Sequence, residues 1–150
     1  MSPTLTLRPL ATLRVEIDEP LDAGRVPGGR RLIIPITGGT VTGRINGSVV
    51  PGGADRALLR ADGTSTVSAT YPLRTDDGTL LSVTNQGTLS TRDGGLFGVT
   101  AIRIEAPEGP WSWLNDVPIV GTLLPGEVGR AVDLAFYTVE PETTPGPRTP

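Results

Sequence analysis

The side chains that could do chemistry in this chain are carboxylates, two phenols and aliphatic hydroxyls. The 150-residue sequence has no cysteine and no histidine, and all 13 of its basic residues are arginine. These absences exclude a cysteine nucleophile, a histidine base, a Schiff-base lysine and a thiolate or imidazole zinc site. Proton transfer must therefore use a carboxylate, Tyr71, Tyr137 or bound water.

Asp55 is the carboxylate with the most informative position. It follows the Pro-Gly-Gly turn signal at 51–53 and begins a segment that should line the core. A carboxylate in such a place must be satisfied by hydrogen bonds or serve a function, because burying an unpaired charge is costly. The sequence leaves both interpretations open.

Two other segments resemble known site motifs, and each has a simpler interpretation. Asp76-Asp77-Gly78 could be a carboxylate pair or part of a metal site, but Asp-Gly is typical of hairpin turns, and we expect a turn. The glycine-rich stretch 38–43 lacks the Gly-Lys-Ser/Thr of a phosphate-binding loop, and no helix is predicted after it. We therefore predict no nucleotide site there.

Trp111 and Trp113 are separated by one residue. Both indoles would lie on the same face if this segment were a strand. Each could pack in the core or offer a flat wall on which an unsaturated ligand stacks.

The elements that position these residues are predicted to be β-strands. The 20 glycines and 15 prolines separate β-branched and leucine-rich segments, and no window shows a 3.6-residue stripe. Residues 5–17 alternate in polarity, with an interruption at Pro9. In the segment 64–74, one face carries Val67, Ala69, Tyr71 and Leu73. The other predicted strands are 31–36, 41–50, 54–60, 80–85, 96–105, 117–123 and 130–140, with a loop at 20–29 and turns at Gly38-Gly39, Asp62-Gly63, Asp77-Gly78 and Asp93-Gly94.

This pattern predicts an all-β fold. About eight to nine strands can hide their edges by closing into an antiparallel barrel, and such a barrel can hold one small ligand. A two-sheet sandwich is the structural alternative. We expect residues 1–140 to form the barrel domain and residues 141–150, which are rich in proline, to form a disordered tail.

Four blocks in this order resemble the bacterial domain-of-unknown-function family 3237: PITGGT at 35–40, PGGAD at 51–55, YPLRTDDG at 71–78 and WLN at 113–115. The resemblance covers roughly residues 5–140. This family is grouped with the allene oxide cyclase and dirigent barrels. The resemblance thus implies a lipocalin-like closed barrel with an internal cavity, and often a homodimer or other homo-oligomer.

Three functions are compatible with such a barrel. The first is a cofactor-independent cyclase or isomerase of bacterial specialised metabolism, which closes a ring of a polyketide-type intermediate by cycloaddition or conjugate addition. Ring closure of this kind needs a substrate held in a near-attack shape and a donor that polarises a carbonyl. The other two are a non-catalytic carrier of a hydrophobic metabolite and a structural protein with a filled core.

For the first function, the candidate catalytic residues are Asp55 as base and Tyr71 or Arg74 as hydrogen-bond donor. Asn115 is a further candidate donor that would bind the substrate, and Trp113 is the candidate stacking wall. No cofactor or metal is expected. The predicted partner is a small hydrophobic or amphiphilic organic substrate.

Charge and hydropathy limit the other partners. The net charge is −3 and the arginines are scattered, so nucleic acid is not expected. The apolar stretches are too short for a membrane span, and residues 1–4 do not resemble a signal peptide. A cytoplasmic location is therefore predicted.

Overall fold

The computed structural model describes residues 2–92, 95–126 and 130–143. Within these residues the chain forms one short 3₁₀ helix, Ser112–Asn115, and ten strands. The strands are β1 (Leu5–Ile17), β2 (Leu21–Val26), β3 (Gly29–Gly43), β4 (Gly47–Val49), β5 (Ala54–Arg60), β6 (Ser65–Thr75), β7 (Leu80–Arg92), β8 (Gly95–Glu105), β9 (Ile119–Pro125) and β10 (Ala131–Pro141).

Eight strands close into an antiparallel barrel. Around the ring the order is β1, β10, β9, β8, β7, β6, β5 and β3, and β3 pairs with β1 again. The two extra strands flank the ring: β2 pairs with the first half of β3, and β4 pairs with the second half of β3 and the end of β6. The predicted closed antiparallel barrel is confirmed.

The alternation in β1 follows the sequence pattern. Leu13 and Val15 are buried on the inner face, while Arg14 and Glu16 are exposed on the outer face. The pairing of β1 with β10 shifts register between Pro9 and Ala11, which is the interruption predicted at the proline.

The predicted turn at Gly38-Gly39 is wrong, because β3 continues through both glycines. Gly39 has a φ of +141°, and a Cβ atom there would lie 2.0 Å from the carbonyl oxygen of Arg14 on β1. Glycine is therefore needed here because the two strands approach closely. In sequence, such a glycine pair looks the same as a turn. The chain turns at 44–46 instead, so the strand predicted at 41–50 is also wrong: it is divided between the end of β3 and β4. In this turn the Asn46 side chain bonds the backbone of Gly43 at 2.9 and 3.2 Å.

The predicted loop at 20–29 is also wrong, since it contains β2 and the tight turn that joins β2 to β3. Asp22 accepts hydrogen bonds from the backbone of Gly24 at 2.9 Å and from Arg30 at 2.6 Å. Local polar contacts support this hairpin. Its residues show little apolar alternation, so the hydrophobic pattern of the sequence does not predict it.

The remaining boundaries agree closely for most strands. The turns at Asp62-Gly63 and Asp77-Gly78 form as predicted, while Asp93-Gly94 lies outside the described residues. The strand predicted at 80–85 extends to Arg92. Pro141 belongs to β10, and the Glu142 amide donates to the carbonyl of Thr4. Residues 144–150 of the predicted tail lie outside the described residues, so the domain division stays a prediction.

The core fills much of the barrel interior. Its largest fully buried side chains include Tyr71 and Phe136, with Leu10, Ile45, Leu73, Leu81 and Leu114. Burying a side chain of this size typically contributes about 1.5–3 kcal/mol. Among the described residues no helix is long and apolar enough to cross a membrane.

Candidate binding cavity

A partly open cavity of about 120 Å³ lies in the barrel interior. Its polar lining consists of Asp55, Ser65, Tyr71 and Asn85, and the rest of its lining is valine, isoleucine, leucine and alanine. Larger grooves lie on the outer surface, including one of about 650 Å³ beside Arg103 and Asn115. The lining of that groove is mostly polar, whereas small organic ligands prefer apolar sites with a few polar groups.

The cavity has a rim and a floor. Ile17, Leu89 and Val132 are half-buried and lie towards the rim. Tyr71 and Asn85 are 2% and 1% exposed and lie deeper. Strand β6 spans this depth, because alternate residues from Ser65 to Tyr71 face inwards.

Strand pairing brings the polar residues together. Asp55 on β5 is paired with Ala69 on β6, and Ala69 is paired in turn with Asn85 on β7. Tyr71 follows Ala69 by two residues and so lies on the same face, one step deeper. The three polar side chains therefore come from three neighbouring strands.

Asp55 is half-buried, and its Oδ1 accepts a 2.9 Å hydrogen bond from the amide of Ser68. This amide faces a gap in the ladder between β5 and β6, where Arg56 and Ala57 form no pairs with β6. Burial raises the pKa of the Asp55 carboxyl, while the Ser68 hydrogen bond and the charge of Arg31 act in the opposite direction. A carboxylate with a raised pKa is a better proton acceptor near neutral pH.

Tyr71 and Asn85 bring unpaired polar atoms to the cavity. The Tyr71 hydroxyl and the Asn85 Oδ1 are buried without a hydrogen-bond partner. Burial raises the pKa of Tyr71 far above its ordinary value, and the Asn85 side chain close to its hydroxyl opposes this rise. Tyr71 therefore stays neutral and can donate a proton in a hydrogen bond.

Sequence reasoning missed Asn85. It stands in the polar run Thr84-Asn85-Gln86, which looks like a solvent-facing segment. The available signal was its two-residue spacing from the buried Leu81 and Val83, which places Asn85 on the inner face.

Arg74 and Trp113 do not line this cavity. Arg74 lies on the exposed face of β6, and its guanidinium donates a 3.4 Å hydrogen bond to the carbonyl of Gly78. Trp113 is 36% exposed, and its ring lies 4.9 Å from the guanidinium carbon of Arg44. The structure therefore separates these two candidates from Asp55 and Tyr71.

Asn115 lies in the connection between β8 and β9, away from the cavity. Its side chain accepts a bond from the amide of Ala106 at 2.9 Å and donates to the carbonyls of Ala106 and Ser112, each at 3.0 Å. All of these partners are backbone groups, so the side chain holds this connection in shape.

The condition for Trp111 and Trp113 to share a face, a strand at 111–113, is not met, because the 3₁₀ helix begins at Ser112. The two indoles have different environments. That of Trp111 is half-buried against the core and donates a 3.0 Å hydrogen bond to Asp77, while that of Trp113 is exposed. Asp77 thus stabilises its hairpin turn and the loop packed beside it.

Across the described ranges, no three acidic side chains lie close enough together to hold a metal ion.

The family assignment follows from the sequence as a whole. A family model described as "Protein of unknown function (DUF3237)" matches residues 5–139. The chain belongs to the DUF3237 family. The resemblance predicted from the four sequence blocks is thereby confirmed, and two of these blocks contain the cavity residues Asp55 and Tyr71.

Relatives of this DUF3237 chain are known from sequence and structure. A UPF0311 protein of Bradyrhizobium diazoefficiens is 39% identical over 87 residues, which are 58% of this chain and 57% of that protein. The match thus spans little more than half of the curated relative. A β-barrel-like protein from Acinetobacter baumannii has a TM-score of 0.87 at 27% identity, covering 93% of this chain and 99% of its own.

A more distant structural neighbour is described as an enzyme from Penicillium herquei. It has a TM-score of 0.72 at 22% identity, and the match covers 93% of this chain and 97% of the neighbour. At this identity the similarity shows that the two proteins share a fold. Shared fold alone does not carry an activity from one to the other.

Proposed function

We propose that this protein is a cofactor-independent isomerase or cyclase that acts on one end of a small hydrophobic or amphiphilic organic molecule. The observation that carries this proposal is that Asp55 and Tyr71 share the wall of one mostly aliphatic cavity in the barrel interior. One is a carboxylate whose pKa burial raises, and the other is a phenol that burial keeps neutral. Two titratable groups in different states within one cavity suit acid–base chemistry.

The two groups have separate roles in the proposed reaction. Asp55 accepts a proton from the substrate and returns it to a different atom of the same molecule, so the product has the same mass. Tyr71 donates a hydrogen bond to a substrate oxygen at the floor and so fixes the position of the substrate relative to Asp55. The aliphatic walls exclude water and hold the reacting groups in place.

The cavity volume limits how much of a substrate is enclosed. A cavity of roughly 150 Å³ lined by aliphatic and aromatic residues can bind benzene. The 120 Å³ of this cavity thus matches about one six-membered ring. A larger substrate would place one end inside, with the remainder leaving past the half-buried rim.

A second candidate function is binding without catalysis. The hydrogen bond from the Ser68 amide to Asp55 favours it, because that bond gives the carboxylate a structural role in the gap between β5 and β6. A carrier would use the same cavity and leave its ligand unchanged.

Incubation with a metabolite extract separates these functions. The purified protein is incubated with extract from its source cells without added cofactor, and the mixture is followed by chromatography with mass detection. We expect one compound to decrease while another of equal mass and new retention time increases. Asp55→Asn and Tyr71→Phe should each slow this conversion by about 10²-fold or more.

Tyr137→Phe is the matched control, because Tyr137 lies between the inward-facing Phe136 and Thr138 and so points away from the interior. Conversion by this variant should match that of the unmodified protein. A ligand that is retained without conversion would contradict the enzymatic proposal and establish the carrier. Neither retention nor conversion would contradict both.

A further inference from the structure

Three buried polar atoms without partners lie on neighbouring strands. In the part of the chain that the structure describes, these atoms are the Tyr71 hydroxyl on β6, the Asn85 Oδ1 on β7 and the Thr100 hydroxyl on β8. Most buried polar groups in proteins are paired, so a cluster of unpaired ones requires an explanation. Tyr71 and Asn85 line the cavity, whereas Thr100 does not.

The Tyr71 hydroxyl and the Asn85 Oδ1 have complementary hydrogen-bonding roles. The phenol offers a proton, and the amide Oδ1 can only accept one. Asn85 is the strand partner of Ala69, two residues before Tyr71, so the two side chains are diagonal neighbours on the inner face and one bound group can reach both. A hydroxyl satisfies both atoms with a single oxygen, because it accepts and donates at once. A ketone oxygen would leave the Asn85 Oδ1 unpaired.

The rest of the lining selects the carbon skeleton. Apart from Tyr71 it has no aromatic side chain, and its apolar surface comes from aliphatic residues such as Val15, Ile36 and Leu134. Such walls favour a saturated ring or a branched alkyl group, because they bury apolar surface but offer no flat aromatic face on which an unsaturated ring could stack. Asp55 is the one charged residue of the lining, and it would repel an anionic ligand.

We propose that the buried end of the ligand is a neutral, saturated ring or branched alkyl group with one hydroxyl, which accepts a hydrogen bond from Tyr71 and donates one to Asn85. This inference rests on the proposed function, since it names the substrate class of the same cavity. The substrates are then cyclic or branched alcohols of about one ring in size at the buried end. The hydroxyl anchors the molecule at the floor, and an activated C–H group nearer the rim, outside this saturated group, supplies the proton that Asp55 accepts.

Cyclohexanol and cyclohexanone provide matched probes of nearly equal size. Each is titrated into isotopically labelled protein while the amide signals of Ala69, Tyr71 and Asn85 are followed by NMR. We expect cyclohexanol to bind about tenfold or more tightly than cyclohexanone, because the ketone leaves a buried acceptor unpaired. Equal binding, tighter binding of the ketone or no saturable binding of either probe would overturn the inference.

Two variants test the proposed contacts separately. Asn85→Leu should abolish the preference for the alcohol while retaining ketone binding, which also shows that the cavity has folded. Tyr71→Phe should weaken the binding of both probes, and Tyr137→Phe should change the binding of neither. An alcohol preference that survives Asn85→Leu would contradict the assignment of Asn85.

These outcomes distinguish the two proposals. If the ketone binds better and extract conversion still occurs, the substrate class is wrong and the enzymatic proposal stands. If cyclohexanol binds as expected and no conversion occurs, the ligand class holds and the protein is a carrier.

Discussion

Asp55 and Asn85 occupy the same row of the barrel wall, with Ala69 between them. Ala69 is the strand partner of both residues, so the two polar side chains are separated by two strand spacings, or about 10 Å between their Cα atoms. The methyl group of Ala69 is the only side chain of this row between them. The cavity therefore depends on a small residue at position 69.

Ala69→Val should close part of the cavity. The two added methyl groups point into the space between Asp55 and Asn85, so cyclohexanol binding should fall below detection in the NMR titration. Overpacking of a core typically costs about 1–3 kcal/mol, so the variant should still fold. Ala101→Val, at an exposed position of β8, is the control and should bind the alcohol normally. Unchanged cyclohexanol binding by Ala69→Val would show that the alcohol binds outside this cavity.

Asp55→Asn should stabilise the protein at neutral pH. Because burial raises the pKa of Asp55 in the folded state above 3.8, ionisation of this group opposes folding. Its stabilising contribution is complete below 3.8 and is lost as the pH rises through the raised folded-state pKa. The asparagine keeps an oxygen for the Ser68 amide and has no charge to bury. Urea unfolding from pH 3 to 8 should show a gain that shrinks towards low pH, and a pH-independent difference would argue against this account.

Tyr71→Phe and Asn85→Leu should be neutral or stabilising in the absence of ligand. Each removes a buried polar atom that has no partner and replaces it with an apolar group of similar shape. Such a residue, retained at a cost to stability, is typical of a functional site. Equilibrium urea unfolding measures this effect. A loss of more than about 2 kcal/mol in either variant would show that the polar atom is paired in the folded protein.

Asp77→Asn should lower the melting temperature at pH 7 but not at very low pH. The Thr75 hydroxyl, the Thr79 side chain and amide, and the Trp111 indole lower the pKa of Asp77 to about 2. A lowered pKa stabilises the folded state above 3.8, and this contribution is lost as the pH falls through about 2. Thermal melts of both proteins should therefore converge near pH 2. Asp76→Asn, in the same turn, is the comparison and should have the smaller effect at pH 7.

Asn115→Ala should affect stability and leave ligand binding unchanged. The variant removes three hydrogen bonds to backbone groups of the connection between β8 and β9. We expect a loss of about 1–3 kcal/mol in the free energy of unfolding, because backbone groups lose their partners. Cyclohexanol should bind as before. Loss of cyclohexanol binding in a variant of normal stability would show that Asn115 binds the ligand.

The barrel could be predicted from the sequence because its strands alternate strongly. Leu13 and Val15 in β1, and Val67 to Leu73 in β6, all face inwards as their two-residue period indicates. The errors arose where glycine lies inside a strand and where polar contacts support a hairpin. Gly38 and Gly39 permit close contact with β1 inside a continuous strand, and the β2 hairpin depends on the Asp22–Arg30 pair.

The candidate site could be predicted only in part, because it depends on long-range pairing. Asp55 and Tyr71 were recognised by residue type, whereas Asn85 is inward-facing through the register of β7 with β6. Arg74 carries suitable chemistry but has the wrong parity in its strand, since it follows the inward-facing Leu73. The hydrogen bonds of Asn115 depend on a 3₁₀ helix that a two-residue pattern at Trp111 and Trp113 does not indicate.

The pairing of β1 with β10 affects the order in which the barrel assembles. It joins Leu5 to Pro141, so it closes the longest loop of the described chain and carries a large entropic cost. The same two strands supply Val15, Ile17, Val132 and Leu134 to the cavity wall. A chain that has formed every other hairpin but not this pairing lacks part of the cavity wall. Ligand binding is therefore linked to barrel closure, and a bound molecule would stabilise the closed barrel against unfolding.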